Sequence, residues 1–271
     1  MGVQGLSHNS AIVDFQRKRG FESTRYVLPF LNETMDLLDI GCGPGSITNV
    51  LAQHVKTAIG IDIDGETIRS AQEIAARQNI DNLRFIHGSM LALPFEDNRF
   101  DAVTFHAVLY HLDEATLNKA LSEAYRVLKP GGLIAIRDSD VGGDVIYPEN
   151  PDIELSLNLW QRWYGHSATD RPKFGRRQGH VLRTHGFEPV WSGASFHNHS
   201  SDPETRRQSV IDAKANMIGL SDDLIAKGLA TKEEIDRAIK AWDDWGNEPD
   251  CVYLRCRCEC IARKPGPSEP V

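Results

Sequence analysis

The chain has 271 residues, of which 41% are hydrophobic and 25% are charged, and its formal net charge is −8. This composition is typical of a soluble globular protein, and the acidic balance argues against nucleic acid as a standing partner. The sequence has no apolar stretch long enough to span a bilayer, so no membrane partner is predicted. Five cysteines, an odd number, do not suggest a secreted disulfide framework, and we predict a cytoplasmic protein with reduced thiols.

Aromatic and apolar residues recur among arginines over residues 11–31, which predicts one or two helices before the first strand. We expect residues 1–35 to form a helical cap. Two roles stay open for it: a cover for the edge of the sheet, or a flap in which Tyr26 or an arginine reaches a bound ligand.

A strand, a glycine turn and a helix follow in residues 35–51. The short apolar run 37–40 has the length of a buried parallel strand. Gly41, Gly43 and Gly45 then alternate, and they allow positive φ and close approach of a ligand to bare backbone. Apolar residues at helical spacing resume at Ile47. Such a turn also occurs in α/β proteins that bind nothing there.

A second strand, residues 58–63, brings an acid to its end about twenty residues after the turn. The carboxylate of Asp62 is placed to accept hydrogen bonds from both hydroxyls of a ribose. The turn lacks the G-x-x-G continuation that seats a pyrophosphate, so a nucleoside without a diphosphate is favoured over NAD.

A helix is predicted at residues 65–78, after the second strand. Further strands are predicted at residues 83–86 and 101–105. His106, Tyr110 and His111 follow the fourth strand. Ligands bind at the carboxyl ends of strands in open α/β sheets, so the topology places these side chains near the expected ligand-binding site. The alternative for each histidine is a structural or solvent-facing role.

An amphipathic helix at 114–128 is closed by Lys-Pro-Gly-Gly at 129–132, and a fifth strand follows at 133–136. These motifs, in this order over residues 37–138, resemble class I S-adenosylmethionine (SAM) methyltransferases. The bulk of the match is similar to methyltransferases of menaquinone and ubiquinone biosynthesis.

The resemblance implies SAM as the cofactor and residue roles around it. Ser89 departs from the pattern, because the family usually has an acid there to contact the adenine. The cofactor-binding residues implied are Tyr26, Asp39, Gly41, Cys42, Gly43, Gly45, Asp62, Ile63, Ser89, Met90 and His106. The catalytic candidates are His106, His111 and Asp138, the acceptor-binding candidates are Tyr110, His111 and Trp160, and no metal is required.

Beyond Asp140 the resemblance thins. We expect a loop over 141–151, a sixth strand at 187–196, and a helical insertion at 197–250 that acts as a lid. The core is then 36–196, the last strand is 251–263, and the tail 264–271 is expected to be disordered. Cys256, Cys258 and Cys260 share one face of the last strand about 7 Å apart, which favours small buried side chains over a tetrahedral metal site.

The predicted fold is α/β, a seven-stranded Rossmann-like class I methyltransferase sheet with the last strand antiparallel and a helical lid. The predicted activity is in-line transfer of a methyl group to oxygen, nitrogen, sulfur or carbon of a small-molecule acceptor. Two rivals stay open: a quinone-type ring C-methyltransferase, and a SAM-binding protein without catalysis. The sequence does not fix the oligomeric state, and a homodimer is compatible with it.

Overall fold

The structure, a computed structural model, describes residues 20–164 and 173–266, without the side chains of 160–162 and 164. Eight strands are found in these ranges, and we number them in chain order. They are β1 (Asp36–Ile40), β2 (Thr57–Asp62), β3 (Leu83–His87), β4 (Phe100–His106), β5 (Leu128–Ser139), β6 (Val145–Tyr147), β7 (Glu188–Asn198) and β8 (Val252–Arg263).

Eight α-helices are found in the same ranges, the first of them before β1. They are α1 (Gly20–Thr24), α2 (Ser46–Leu51), α3 (Gly65–Gln78), α4 (Glu114–Val127), α5 (Pro151–Tyr164), α6 (Gln178–Thr184), α7 (Pro203–Ala226) and α8 (Lys232–Asn247). Side-chain caps begin several of them: Asp64 caps α3, Asp113 caps α4, and Thr231 begins α8 with a capping box to Glu234.

The strands form one mixed sheet in the order β3-β2-β1-β4-β5-β8-β6, and β7 also pairs with β8. The pairs β1–β2, β2–β3, β1–β4 and β4–β5 are parallel. β8 runs antiparallel to β5, since Lys264 bonds Gly132 at one end and Cys256 accepts from Asp140 at the other. The predicted Rossmann-like sheet with an antiparallel end is confirmed.

Two strands differ from the prediction. β6 lies in the segment 141–151 that we expected to be a loop, because Val145–Tyr147 pairs antiparallel with residues 252–254 of β8. β5 begins at Leu128 instead of residue 133, since Leu128 already pairs with Phe100. Three residues are too few, and a Pro-Gly-Gly run too turn-like, for sequence periodicity to reveal such pairing.

The first of two compact units comprises the described parts of Met1–Arg137, Gly179–Ser192 and Glu259–Val271. Its core fills the space between β1, β2 and the helices around them, with Leu37, Leu51, Ile68 and Phe85 among the buried side chains. The tail departs from its prediction, because Lys264 is buried. Its ammonium donates to the carbonyls of Tyr125 and Leu128 and to Asn98. Residues 1–19 and 267–271 lie outside the described residues.

The second unit comprises the described parts of Asp138–Gln178 and Gly193–Cys258, so it is larger than the predicted insertion 197–250. The boundary moves because α5 contacts both α7 and α8. Trp245 packs edge to face against both Trp242 and Tyr253 in its core, and the Trp242 indole N–H donates to Ser156 Oγ at 2.8 Å. The role of 197–250 as a lid stays a prediction.

Among the residues that the structure describes, no helix is both long and apolar enough to cross a membrane.

Candidate functional site

The glycine turn leaves β1 with three left-handed residues. Gly41, Gly43 and Gly45 have φ of 73°, 52° and 79°, a region that side chains with a Cβ adopt only at a cost. The N–H groups of Gly41 and Cys42 donate to the carbonyl oxygen of Ile61 at 2.8 and 3.2 Å. The turn is therefore tied to the neighbouring strand β2.

Asp62 ends β2 and faces this turn. One carboxylate oxygen accepts the N–H of Gly43 at 2.9 Å and the other accepts the N–H of Asp64 at 3.0 Å. A carboxylate oxygen has two lone pairs, so both oxygens can still accept hydrogen bonds from ligand hydroxyls. The side chain of Ile63 is 69% exposed immediately beyond. A fixed carboxylate beside an open apolar side chain fits the ribose and the planar base of a nucleoside.

The spaces that a Cβ would occupy at two of the glycines are filled by side chains of the protein. A Cβ on Gly41 would lie 2.5 Å from Val108, and one on Gly45 would lie 2.3 Å from the Phe85 ring. These two glycines therefore serve close packing inside the first unit, in addition to positive φ. Contact of the turn backbone with a ligand stays a prediction.

Asp39 lies beneath the turn in β1 and is buried. Its two carboxylate oxygens accept the hydroxyls of Thr48 at 2.7 Å and Thr104 at 2.8 Å. Burial, together with the nearby charge of Asp62, raises the pKa of Asp39 to about 6. Asp39 was expected to bind the cofactor, and here its bonds link β1 to α2 and β4 under the turn.

Cys42 and the end of β3 complete this side of the site. Cys42 is buried, and burial raises the pKa of its thiol well above the ordinary value. His87 Nε2 lies 2.9 Å from the carbonyl oxygen of Ile63, so it donates to that oxygen. The hydroxyl oxygen of Ser89 accepts the N–H of Leu91 at 3.2 Å and shapes the turn after β3, in which Met90 is half-buried.

His106 ends β4 above a buried ion pair that the sequence reading missed. Arg137 Nε donates to Glu259 Oε1 at 2.9 Å, and the two side chains are 2% and 5% exposed. Arg137 Nη1 lies 3.4 Å from His106 Nε2. Because a guanidinium only donates, Nε2 accepts and the ring carries its proton on Nδ1. The one signal in the sequence was Glu259, the single acid in a strand whose other charged residues are arginines.

The turn after His106 is strained and holds two further candidates. Ala107 has φ +56°, a left-handed conformation that is costly for alanine and concentrates at functional sites. Tyr110 and His111 lie in the next helical turn, both half-buried, with ring centroids 3.7 Å apart. The prediction that these residues follow β4 at its carboxyl end agrees with their positions.

The other predicted site residues lie away from the glycine turn or outside the residues that the structure describes. The Tyr26 ring stacks on Trp191 of β7, with centroids 6.3 Å apart. Asp138 is completely buried in β5 and belongs to the second unit. The side chain of Trp160 lies outside the described residues. The structure therefore brings together the turn, Asp62 and the end of β4 within the first unit.

Metal binding finds no support in the part of the chain that the structure describes, where no three His, Cys, Asp or Glu side chains could share an ion. Burial raises the pKa of the thiols of Cys256 and Cys258, which suits the predicted role of small buried side chains. They project from one face of β8 in the second unit, as their alternate positions predict.

Comparison with known proteins gives one family match and several relatives. The family model described as a methyltransferase domain matches residues 38–136. An uncharacterized methyltransferase of Schizosaccharomyces pombe is 30% identical over 250 residues, 84% of each chain. The probable methyltransferase ltbC of Aspergillus luteorubrus is 28% identical over 95% of each chain.

Two more matches concern the sequence and the fold. The demethylmenaquinone methyltransferase of Lactiplantibacillus plantarum is 32% identical over 155 residues, 56% of this chain and 60% of that one. The solved structure of the YcgJ protein of Bacillus subtilis superposes with a TM-score of 0.58 at 18% identity, covering 91% of this chain and 99% of that one. The second match shows a shared fold.

Proposed function

The chain belongs to the SAM-dependent methyltransferases, and from this premise we propose that it transfers the methyl group of its cofactor, SAM, to a small-molecule acceptor. The observation that carries the proposal is the Asp62 carboxylate, held by the Gly43 N–H beside the exposed side chain of Ile63. This arrangement supplies acceptors for ribose hydroxyls and an apolar surface for adenine.

Different residues of the first unit would bind different parts of the cofactor. Asp62 would accept the ribose hydroxyls, and Ile63 would pack against the base. Ser89 and Met90, at the turn after β3, would lie along the adenine, with a neutral hydroxyl in place of an acid. Gly43 would present bare backbone, and Asp39 would fix the turn from below through Thr48 and Thr104.

When bound, SAM would supply an electrophilic methyl carbon on a sulfonium. A nucleophilic electron pair of the acceptor would take this methyl group in line, and the electron pair of the broken carbon–sulfur bond would leave with the sulfur. Most of the rate then comes from positioning and from exclusion of water. An acceptor hydroxyl must also lose a proton, and His106, His111 and Asp138 are the candidate bases. His106 Nε2 is engaged by Arg137, which makes His106 less suited to remove a proton.

The proposal is tested by methyl transfer from SAM carrying a radiolabelled methyl group. The acceptor panel contains phenols, thiols, amines and demethylated quinones, and product is separated by solvent extraction. We expect label in at least one small-molecule product and none in protein or nucleic acid. Label in a quinone ring carbon would instead support the quinone-type ring C-methyltransferase alternative. The similarity to a demethylmenaquinone methyltransferase is the reason to include quinones in the panel.

Binding without turnover is the other outcome that the assay separates. Calorimetric binding of SAM by EDTA-treated protein, with no product from any acceptor class, would support a SAM-binding protein without catalysis. Asp62→Ala should lower transfer roughly ten- to hundredfold when SAM is below saturation. Its matched control is Asp81→Ala, at an exposed position in the loop before β3.

A further inference from the structure

The connection between β3 and β4 begins against the residues proposed to hold the cofactor. This β3–β4 loop comprises residues 88–99, which contain no helix or strand. Its first residue, Gly88, donates its N–H to the carbonyl oxygen of Asp62 at 2.9 Å. Ser89 and Met90 follow directly. The position of the loop therefore decides where these two residues lie relative to Asp62.

Local hydrogen bonds join the start of the loop into one turn. The hydroxyl oxygen of Ser89 accepts the N–H of Leu91 at 3.2 Å, and its carbonyl oxygen accepts the N–H of Ala92 at 3.3 Å. Leu93 comes next, and its side chain is buried. A displacement of Leu93 would therefore be passed through this turn to Ser89.

Two side chains of α4 hold the backbone of Leu93 from both sides. Its N–H donates to Glu123 Oε2 at 2.8 Å, and its carbonyl oxygen accepts from Arg126 Nη2 at 3.0 Å. Glu123 is only 7% exposed. Hydrogen bonds to ionised groups are stronger than those between neutral groups, so the backbone of Leu93 is firmly fixed on α4.

The guanidinium of Arg126 uses all five of its N–H groups in this arrangement. Nε and Nη2 donate to the two carboxylate oxygens of Glu123 at 3.0 and 2.8 Å. The other three bonds go to the loop: to the carbonyl oxygens of Leu93 and Phe95 and to the carboxylate of Asp97. The bonds from Arg126 lower the pKa of Glu123 to about 2, so its carboxylate stays ionised at neutral pH.

The far end of the loop is aligned by backbone bonds instead. Asn98 and Arg99 donate their N–H groups to the carbonyl oxygens of the last two residues of α4, at 2.9 and 2.8 Å. These bonds guide the chain into β4. The Glu123–Arg126 pair acts on residues 93–97, the part of the loop nearer to the cofactor site, so its bonds do more than begin the next strand.

We propose that Glu123 and Arg126 are positioning residues for cofactor binding, because they hold the β3–β4 loop where Ser89 and Met90 face the adenine of SAM. The inference rests on the proposed function, since it requires SAM in the first unit. The two side chains would act through the backbone of Leu93, without contact with the ligand. A loop that is ordered before binding lowers the entropic cost of binding.

A double-mutant cycle tests whether the pair acts through Ser89. Affinity for S-adenosylhomocysteine (SAH), the demethylated product, is measured by titration calorimetry. Ser89→Ala alone should weaken binding about three- to tenfold, through loss of one neutral hydrogen bond. Arg126→Gln alone should weaken it roughly tenfold, because the ligand must then order the loop. In the Arg126→Gln background, Ser89→Ala should cost less than about twofold, since the hydroxyl is no longer held against the base.

A ligand with a changed base gives a second measurement. S-inosylhomocysteine has a carbonyl oxygen where SAH has the exocyclic amine of adenine. The wild type should prefer SAH by about the factor that Ser89→Ala costs, and Arg126→Gln should lose that preference. A purely structural role would weaken both ligands alike and leave the preference unchanged. The matched control is Arg77→Gln, which breaks an exposed ion pair with Glu73 on α3 and should alter neither affinity nor preference.

Arg126→Lys keeps the test decisive if circular dichroism shows that Arg126→Gln does not fold. Its ammonium keeps a cation beside Glu123 but cannot span the acceptors of the guanidinium, so the preference for SAH should again fall. Additive effects of the two substitutions would overturn the positioning role, and so would a wild type that binds both ligands equally or variants that keep the preference. A wild type that binds neither SAM nor SAH would overturn the proposed function, and the positioning role with it.

Discussion

The carboxylate of Asp62 accepts a hydrogen bond from the backbone N–H of Gly43 at 2.9 Å. This bond joins the end of β2 to the middle of the glycine turn after β1. Two features that lie nineteen residues apart in the chain thus form one rigid structure, with the acid pre-oriented before any ligand arrives. Such preorganisation lowers the entropic cost of binding.

Replacing Asp62 by alanine should weaken SAM binding while the fold is kept. Loss of hydrogen bonds to a charged group costs about 1.5–3 kcal/mol, roughly a ten- to hundredfold fall in affinity. Titration calorimetry measures it, with Asp81→Ala as the control. An affinity equal to that of the wild type, in protein shown to be folded, would remove this carboxylate from the cofactor site.

Gly45 and Gly131 form a matched pair for separating backbone strain from crowding. Their φ values are +79° and +80°, but a Cβ on Gly45 would lie 2.3 Å from Phe85 whereas one on Gly131 would meet nothing within 4 Å. Gly131→Ala should cost about 1–2 kcal/mol of stability for the left-handed conformation. Gly45→Ala should cost about 1–3 kcal/mol more, because Phe85 is buried and cannot easily move.

Urea unfolding of the two alanine variants gives the comparison. Equal losses of stability in both would show that the ring of Phe85 yields to the added methyl group, and that crowding does not explain the glycine at position 45.

The raised pKa of Asp39 predicts a pH dependence of stability. The group has a pKa of about 6 in the folded protein against 3.8 for the unfolded chain, so the folded state binds the extra proton between these values. Stability from this residue is therefore highest below pH 4, falls as the pH rises to 6, and is constant above. Two pKa units correspond to about 3 kcal/mol.

Asp39→Asn isolates this contribution, since all other titrating groups are shared with the wild type. The stability of the variant relative to the wild type should rise by about 3 kcal/mol from pH 4 to pH 7, measured by urea unfolding at each pH. A difference that does not change with pH would mean that Asp39 titrates alike in the folded and unfolded chains.

Replacing only one partner of the buried ion pair between Arg137 and Glu259 should strongly destabilise the protein. Arg137→Met leaves the Glu259 carboxylate buried without the guanidinium and should destabilise the protein by about 3–5 kcal/mol. Adding Glu259→Leu should recover most of that loss, because no charge then remains to be compensated. Chemical denaturation measures both.

The exposed pair of Lys240 and Asp244 on α8 is the control for the buried one. Its side chains are 73% and 59% exposed, and Lys240→Met should change stability little.

Recovery in the double variant also permits a test of His106. Without Arg137 its tautomer should no longer be fixed, which nitrogen chemical shifts of the imidazole report. Shifts that are unchanged would exclude Arg137 as the group that orients the ring.

Local sequence patterns alone determined the strand–turn–helix order, the parallel β1–β2 pair and the position of Asp62 at the end of β2. The resemblance to SAM-dependent methyltransferases followed from these features. These features are encoded by neighbouring residues, through apolar periodicity and through glycine where φ must be positive. Only the tertiary structure decided that Phe85 and Val108 occupy the spaces beside the glycines, that Arg137 meets Glu259, and that α5 joins α7 and α8 in one unit. Those contacts join residues far apart in the chain, and no local periodicity specifies which distant side chain fills a given space.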